Sequence, residues 1–126
     1  MRITNIKATN MDLTPAIREY VEKKIADIDR LIPDSDESAH ATVEVGKTTM
    51  HHQQGDVFRA EVNLHIAGAD FYAEHTDGNL YAAIDMVKDK AMREVRRHRN
   101  KQQDLARRGG SRFKRFFQSF RIGENE

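Results

Sequence analysis

Four cations in one stretch of the chain, Lys90, Arg93, Arg97 and Lys101, are spaced by three, four and four residues. On an α-helix, at about 100° per residue, this spacing gathers them into a ridge covering roughly 80° of the circumference and about 16 Å of length. Like charges so placed repel by some tenths of a kcal/mol per pair, so a helix that serves only structure usually intersperses acids. The ridge itself is read as containing none. A straight row of cations matches a run of phosphates, and each phosphate neutralised releases condensed counterions. The chemistry expected is therefore contact with nucleic acid, the bland alternative being a solvated helix face. Arg96 and Arg99 broaden the field, and Lys23, Arg107, Arg108 and Arg112 are further secondary candidates. Lys24 is odd in another way, because its angle places it inside the apolar stripe of an earlier helix, between Tyr20 and Ile28. Its ammonium must reach water along its stem. Alone it is an edge lysine without a partner; if the two helices pack side by side, it emerges at their seam and extends the basic strip.

Other chemistries find little support. Cysteine is absent, which excludes disulfides, thiolate metal sites and a cysteine nucleophile. Six histidines invite a metal, and His51-His52 could converge with His40, His65 or His75, but no familiar ligand spacing occurs. No phosphate loop, nucleophile elbow or carboxylate motif is present. The expectation is a binding protein, not an enzyme, with no cofactor.

The elements that must position these residues follow from periodicity. Arg2 to Ala8, with Ile3 and Ile6, is a weakly patterned strand. Thr14 can cap a helix and Pro15 suits its first position, and Ile17, Val21, Ile25 and Ile28 form one apolar face as far as about Leu31, before Pro33 prevents continuation. From Ala39 to Lys47 apolar and polar residues alternate, as they do around Phe58, Ala60, Val62, Leu64 and Ile66. Residues 48–56 are a loop between these two strands. After a turn at Ala67-Gly68-Ala69, Phe71, Ala73 and His75 share the face of a last strand ending at Asp77-Gly78. Asn79 then caps a helix running to about Gln103, with Leu80, Ile84, Val87, Ala91 and Val95 inward and a break at Gly109-Gly110. The order β-α-β-β-β-α predicts an α+β domain: a four-stranded sheet with two helices packed on one face, its first helix crossing between parallel neighbours.

With 126 residues, one domain plus a tail is the expectation. The N-terminus lacks the pattern of a signal peptide, and no run approaches the roughly 20 apolar residues of a membrane span, which points to the cytoplasm. A formal net charge of +1 conceals two halves of opposite sign. Residues 1–78 hold 8 Lys and Arg against 14 Asp and Glu, leaving 13 against 6 for the rest. Such asymmetry suggests a polyanionic partner.

Two segments carry a family likeness. Asn10-Met11-Asp12-Leu13-Thr14-Pro15-Ala16-Ile17-Arg18-Glu19-Tyr20-Val21 and Leu80-Tyr81-Ala82-Ala83-Ile84-Asp85 resemble the openings of the two helices in the ribosome hibernation-promoting factors, also called ribosome-associated translation inhibitors. The resemblance covers about residues 1–103. It implies the fold just inferred, and a protein lodged in the small-subunit channel that obstructs messenger and transfer RNA during dormancy. It also implies RNA-binding roles for Arg18, Lys24, Lys90, Arg93, Arg97 and Lys101. Asn79 stands where the family usually has Asp, which preserves capping, while Asp27 and Asp29 make the first helix more acidic and shift binding toward the second. The chain resembles the short form, without the separate dimerisation domain of long members.

The expectation is thus a ribosome-binding α+β domain over residues 1–105 and a basic, Phe-rich tail over 106–126, flexible or a short amphipathic helix. Phe113, Phe116, Phe117 and Phe120 in that tail could pack on the domain or another protein, stack among RNA bases, or lie on an anionic membrane, the last being disfavoured. The expected partners are the small ribosomal subunit and its rRNA, with the protein monomeric off the ribosome and no small-molecule substrate. A general structured-RNA-binding module is the alternative.

Overall fold

Alternation of apolar and polar residues gives the strands one buried face, and backbone hydrogen bonds join them edge to edge into a single sheet whose buried face meets the helices. The computed structural model describes residues 1–33, 36–48 and 55–109. Its elements are β1 (Arg2–Thr9), α1 (Pro15–Asp29), β2 (His40–Lys47), β3 (Phe58–Ile66), β4 (Ala69–Asp77) and α2 (Leu80–Gly109). The sheet order is β1-β2-β3-β4, with β1 parallel to β2 and the other neighbours antiparallel. Val43, Val45, Ala60, Val62, Leu64, Ile66 and Ala73 form the sheet side of the core. Ile17, Val21, Ile25 and Ile28 of α1 and Leu80, Ala83, Ile84, Val87, Ala91 and Val95 of α2 close it from one side. This is the α+β architecture expected from the sequence.

The weak pattern of β1 has a specific cause. Ile3 pairs with Ala41, Asn5 with Thr42 and Ile6 with Val43, so Thr4 is an extra residue in the ladder. A bulge resets the alternation by one position. It lets Ile3 and Ile6, which are three apart, both pack toward the core, and the Thr4 hydroxyl donates to the Ala41 carbonyl at 3.1 Å. At the β3–β4 hairpin, Ile66 pairs with Ala69, so the turn is only Ala67-Gly68. Both residues have positive φ, 49° and 80°, the pattern of a primed two-residue turn. Ala67 is held there by donating its N–H to Asp36 Oδ2 at 2.8 Å.

α1 begins as expected, with the Thr14 hydroxyl accepting from the Ile17 N–H at 3.2 Å and Pro15 following. α2 is longer than its expected end near Gln103. Nothing in Lys101 to Arg108 breaks a helix, the residues being mostly good helix formers, and Asp104 pairs with Arg108 across one turn at 3.4 Å. Residues 106–109, expected in the tail, are therefore the last turn of α2. The rest of the tail, including Arg112 and the four phenylalanines, lies outside the described residues, as do His51 and His52. Among the described residues no helix is long and apolar enough to cross a membrane.

Candidate nucleic-acid interface

The buried stripe of α2 fixes its rotation about its axis, and with it the direction of every cation it carries. The Asn79 side-chain oxygen accepts from the Ala82 N–H at 3.1 Å, and Asp77 accepts from the Asn79 N–H at 2.9 Å, so the start of the helix is held as well. With Val87, Ala91 and Val95 inward, Arg93, Arg96 and Arg97 line a shallow outer groove with Asp89, Met92 and Asn100. Arg93, Arg96, Arg97, Lys101, Arg107 and Arg108 are all exposed.

The ridge does not behave as four equal cations. Lys90 turns toward β4, where its ammonium donates to the Glu74 carbonyl at 3.0 Å and lies 3.1 Å from His75 Nδ1. Arg97 pairs with Glu94 at 3.2 Å. Glu94 is one turn from both Lys90 and Arg97, so the expectation of an acid-free ridge is corrected: an acid is interspersed. Arg93, Arg96 and Lys101 have no acidic partner among the described residues. Arg99 contributes less to the outer field, because it is half-buried and its Nε is enclosed without a hydrogen-bond partner among them. Arg18 and Lys23 of α1 are exposed.

Lys24 does emerge at the seam between the helices, but it meets an acid there. Its ammonium lies 3.1 Å from Asp85 and 5.1 Å from the centre of the Tyr20 ring. The Tyr20 hydroxyl donates to the same carboxylate at 2.7 Å, and the Tyr20 and Tyr81 rings meet edge to face at 4.8 Å. One turn on, Lys88 approaches Asp27 at 3.6 Å and Asp89 at 2.9 Å. Burial pushes the Asp85 carboxyl up, but the Tyr20 hydroxyl and Lys24 outweigh it and hold it below the ordinary range. The hydrogen bond to Asp85 in turn raises both Tyr20 and Lys24. Lys24, carried by α1, and Lys90, carried by α2, thus lie on opposite flanks of α2, one at the seam with α1 and the other against β4, and do not form a continuous strip.

The face of the sheet away from the helices has a different character. Glu44, Glu61 and Glu74 are register neighbours across β2, β3 and β4. Arg59 pairs with Glu61 at 2.9 Å and with Glu74, and bonds the Tyr72 hydroxyl at 2.9 Å. Tyr72 is shared between the two carboxylates at 2.7 and 2.8 Å. The Arg59 guanidinium holds Glu74 below the ordinary carboxylate range, and acceptance by Glu61 and Glu74 pushes the Tyr72 hydroxyl well above that of a free tyrosine. Arg59 is consumed by this network. A polyanion is therefore favoured at the outer side of α2 and disfavoured at the open sheet.

Sequence reasoning missed Asp85, Glu94 and His75 as partners of the selected cations. Glu94 was legible from its helical spacing alone. Asp85 needed the angle between two helices, and His75 the register of β4 against α2. Of the histidines, His75 faces α2, whereas His40 and His65 meet on the open sheet. No group of three or more His, Cys, Asp or Glu is arranged around a common metal position among the described residues.

Comparison with known proteins adds a family. Residues 4–103 match the family model described as "Sigma 54 modulation protein / S30EA ribosomal protein". The chain is 34% identical over 98 residues to the ribosome hibernation promoting factor of Azotobacter vinelandii, covering 78% of this chain and 83% of that protein. It is 30% identical over 107 residues to the ribosome hibernation promotion factor of Bacillus subtilis, covering 85% of this chain but only 53% of that longer relative. Among solved structures, the N-terminal domain of Thermus thermophilus Protein Y superposes with a TM-score of 0.66 at 34% identity, covering 78% of this chain and 99% of that one.

Proposed function

Because the chain belongs to the Sigma 54 modulation protein / S30EA ribosomal protein family, we propose that it is a ribosome hibernation factor which binds the small ribosomal subunit through rRNA and inhibits translation during stress or stationary phase. The observation that carries this reading is the outward array on α2, where Arg93, Arg96 and Lys101 are exposed and unpaired among the described residues. A core-anchored helix fixes the backbone from which they project, so no backbone order has to be created on meeting phosphate and only the long side chains remain to be ordered. Arg97 joins them by exchanging Glu94 for a phosphate. Lys90 and Lys24 are held close to the surface by β4 and Asp85, and Arg18 adds a cation on α1. The protein acts in the cytoplasm as a monomer off the ribosome and has no substrate to transform.

Sucrose-gradient sedimentation with purified ribosomal subunits, run beside cell-free translation, tests the proposal. The expected result is co-sedimentation with the small subunit and loss of protein synthesis in proportion to occupancy. Full occupancy with undiminished synthesis would overturn the inhibitory role. Equal binding to unrelated structured RNAs would favour a general RNA-binding module instead.

A further inference from the structure

One row of the open sheet face runs Arg2, His40, His65, Asp70 from β1 to β4. The two imidazoles in its middle stack with their centres 5.1 Å apart and their planes 21° from parallel. Each ring also has its Nδ1 against an oxygen that can only accept. His40 Nδ1 lies 3.0 Å from the Ser38 carbonyl, and His65 Nδ1 lies 2.8 Å from Asp70 Oδ1. A carbonyl and a carboxylate have no proton to give, so each Nδ1 carries the ring proton. In the neutral rings that leaves each Nε2 with its lone pair. Neither Nε2 has a partner among the described residues.

An imidazole whose Nδ1 donates to a carbonyl or carboxylate, with Nε2 left open, is the arrangement in which histidines ligate metals, because that oxygen fixes the tautomer and raises the basicity of the ligating nitrogen. We propose that His40 and His65 together form a binding site for a divalent first-row transition metal, held by the two Nε2 atoms and completed by water. Metal–nitrogen bonds of about 2.0–2.1 Å at a tetrahedral angle set the two nitrogens about 3.3 Å apart. Opposed residues on antiparallel strands hold their Cβ atoms about 4.5–5.5 Å apart, a span two imidazoles can bridge, and the stacked rings must turn out of their nearly parallel arrangement for the two Nε2 lone pairs to converge. Asp70 adds a negative charge beside the site, whereas Arg2, next to His40, opposes a cation. Imidazole ligands favour Cu2+ over Ni2+ and Zn2+. His75 lies on the other sheet face beside Lys90, and His98 meets Phe71 on that same side, so the pair is separable from the other described histidines.

Calorimetric titration of the full chain with Zn2+ and with Ni2+, and Cu2+ broadening of backbone NMR signals, test the site. His40→Gln and His65→Gln should each weaken binding by about tenfold or more, and Asp70→Asn by up to about tenfold, since an amide oxygen can still accept from Nδ1 but the negative charge beside the site is gone. Arg2→Gln should strengthen it. A His51→Gln/His52→Gln variant should bind as the wild type does. Broadening should centre on residues 40 and 65. The side chains concerned lie on the sheet surface, and melts in a chelator establish that each variant is folded. Metal binding that survives in folded His40→Gln and His65→Gln, broadening centred elsewhere, or no saturable binding by the wild type would each overturn the proposal.

Discussion

Replacing Arg93 and Lys101 together with Gln should remove phosphate contacts without disturbing the fold. Both side chains are exposed and neither meets an acid among the described residues, and Gln is a good helix former. If each cation neutralises one phosphate, the slope of log affinity against log salt should become shallower by about 1.4–1.8 units, at roughly 0.7–0.9 per contact. From about 50 to 200 mM salt, wild-type binding should then weaken about 7–12 times more than that of the variant. Filter binding to small ribosomal subunits at four or five salt concentrations reads this slope directly. Lys90→Gln is the informative comparison, because that ammonium already donates to the Glu74 carbonyl and faces His75. It should change the slope by less than half the double variant's effect. Glu94→Gln releases Arg97 and should steepen the slope. Lys7→Gln, on the open sheet face, is the control. A folded double variant with the wild-type slope would show that the outer face of α2 is merely solvated.

Two further predictions concern the frame. A Cβ added at Gly46 would lie 2.7 Å from the backbone oxygen of Thr9, and a backbone atom in a paired strand cannot step aside cheaply, so Gly46→Ala should destabilise the β1–β2 pairing by about 1–3 kcal/mol. An unchanged denaturant midpoint would refute that close approach. At the seam, Asp85 has a folded pKa below its unfolded one, so its stabilisation is present at neutral pH and is lost as pH falls from the ordinary carboxylate range through the depressed folded value. Asp85→Asn should therefore lose less stability than the wild type on acidification through that window, and its Tyr20 phenol should titrate closer to the ordinary range, read by absorbance at alkaline pH. Identical acid profiles would show that the carboxylate does no more there than an amide would.

How much the sequence disclosed depended on how local the determining interaction was. The faces of β3 and α2 are set by alternation and by helical spacing within each segment, and apart from Ala83 and Gln102 of α2 their core residues were read directly. Thr14 and Pro15 announced α1 because a cap acts within one turn. β1 was weaker on paper because its bulge at Thr4 is a property of the pairing with β2, which no single strand displays. Ala67 at positive φ is similar, since its support comes from Asp36, distant in the chain. The length of α2 was understated for a different reason: helix formers continue to Gly109, and the apolar stripe used to place the end stops at Val95.

The cations divide by the same criterion, and the division bears on function. Helical spacing could show that Lys90, Arg93, Arg97 and Lys101 share a side; it could not show what each already touches. Lys90 and Lys24 must give up a carbonyl and a carboxylate to meet a phosphate, and the gain from exchanging one charge-assisted contact for another is smaller than that from engaging a solvated cation. Arg97 is intermediate, because its partner Glu94 is itself on the surface. Arg93, Arg96 and Lys101 can form their contacts without such an exchange, so long-range attraction and the salt dependence should reside mainly in them. Held by short contacts at the edges of α2, Lys24 and Lys90 are better placed to set the orientation in which that face docks. The acids across β2, β3 and β4 on the opposite side reinforce this, because they repel a polyanion that approaches the open sheet. On the proposed reading a nearly neutral chain would meet RNA with one face only, a selectivity that would come from where the charges are fixed, since their sum is close to zero.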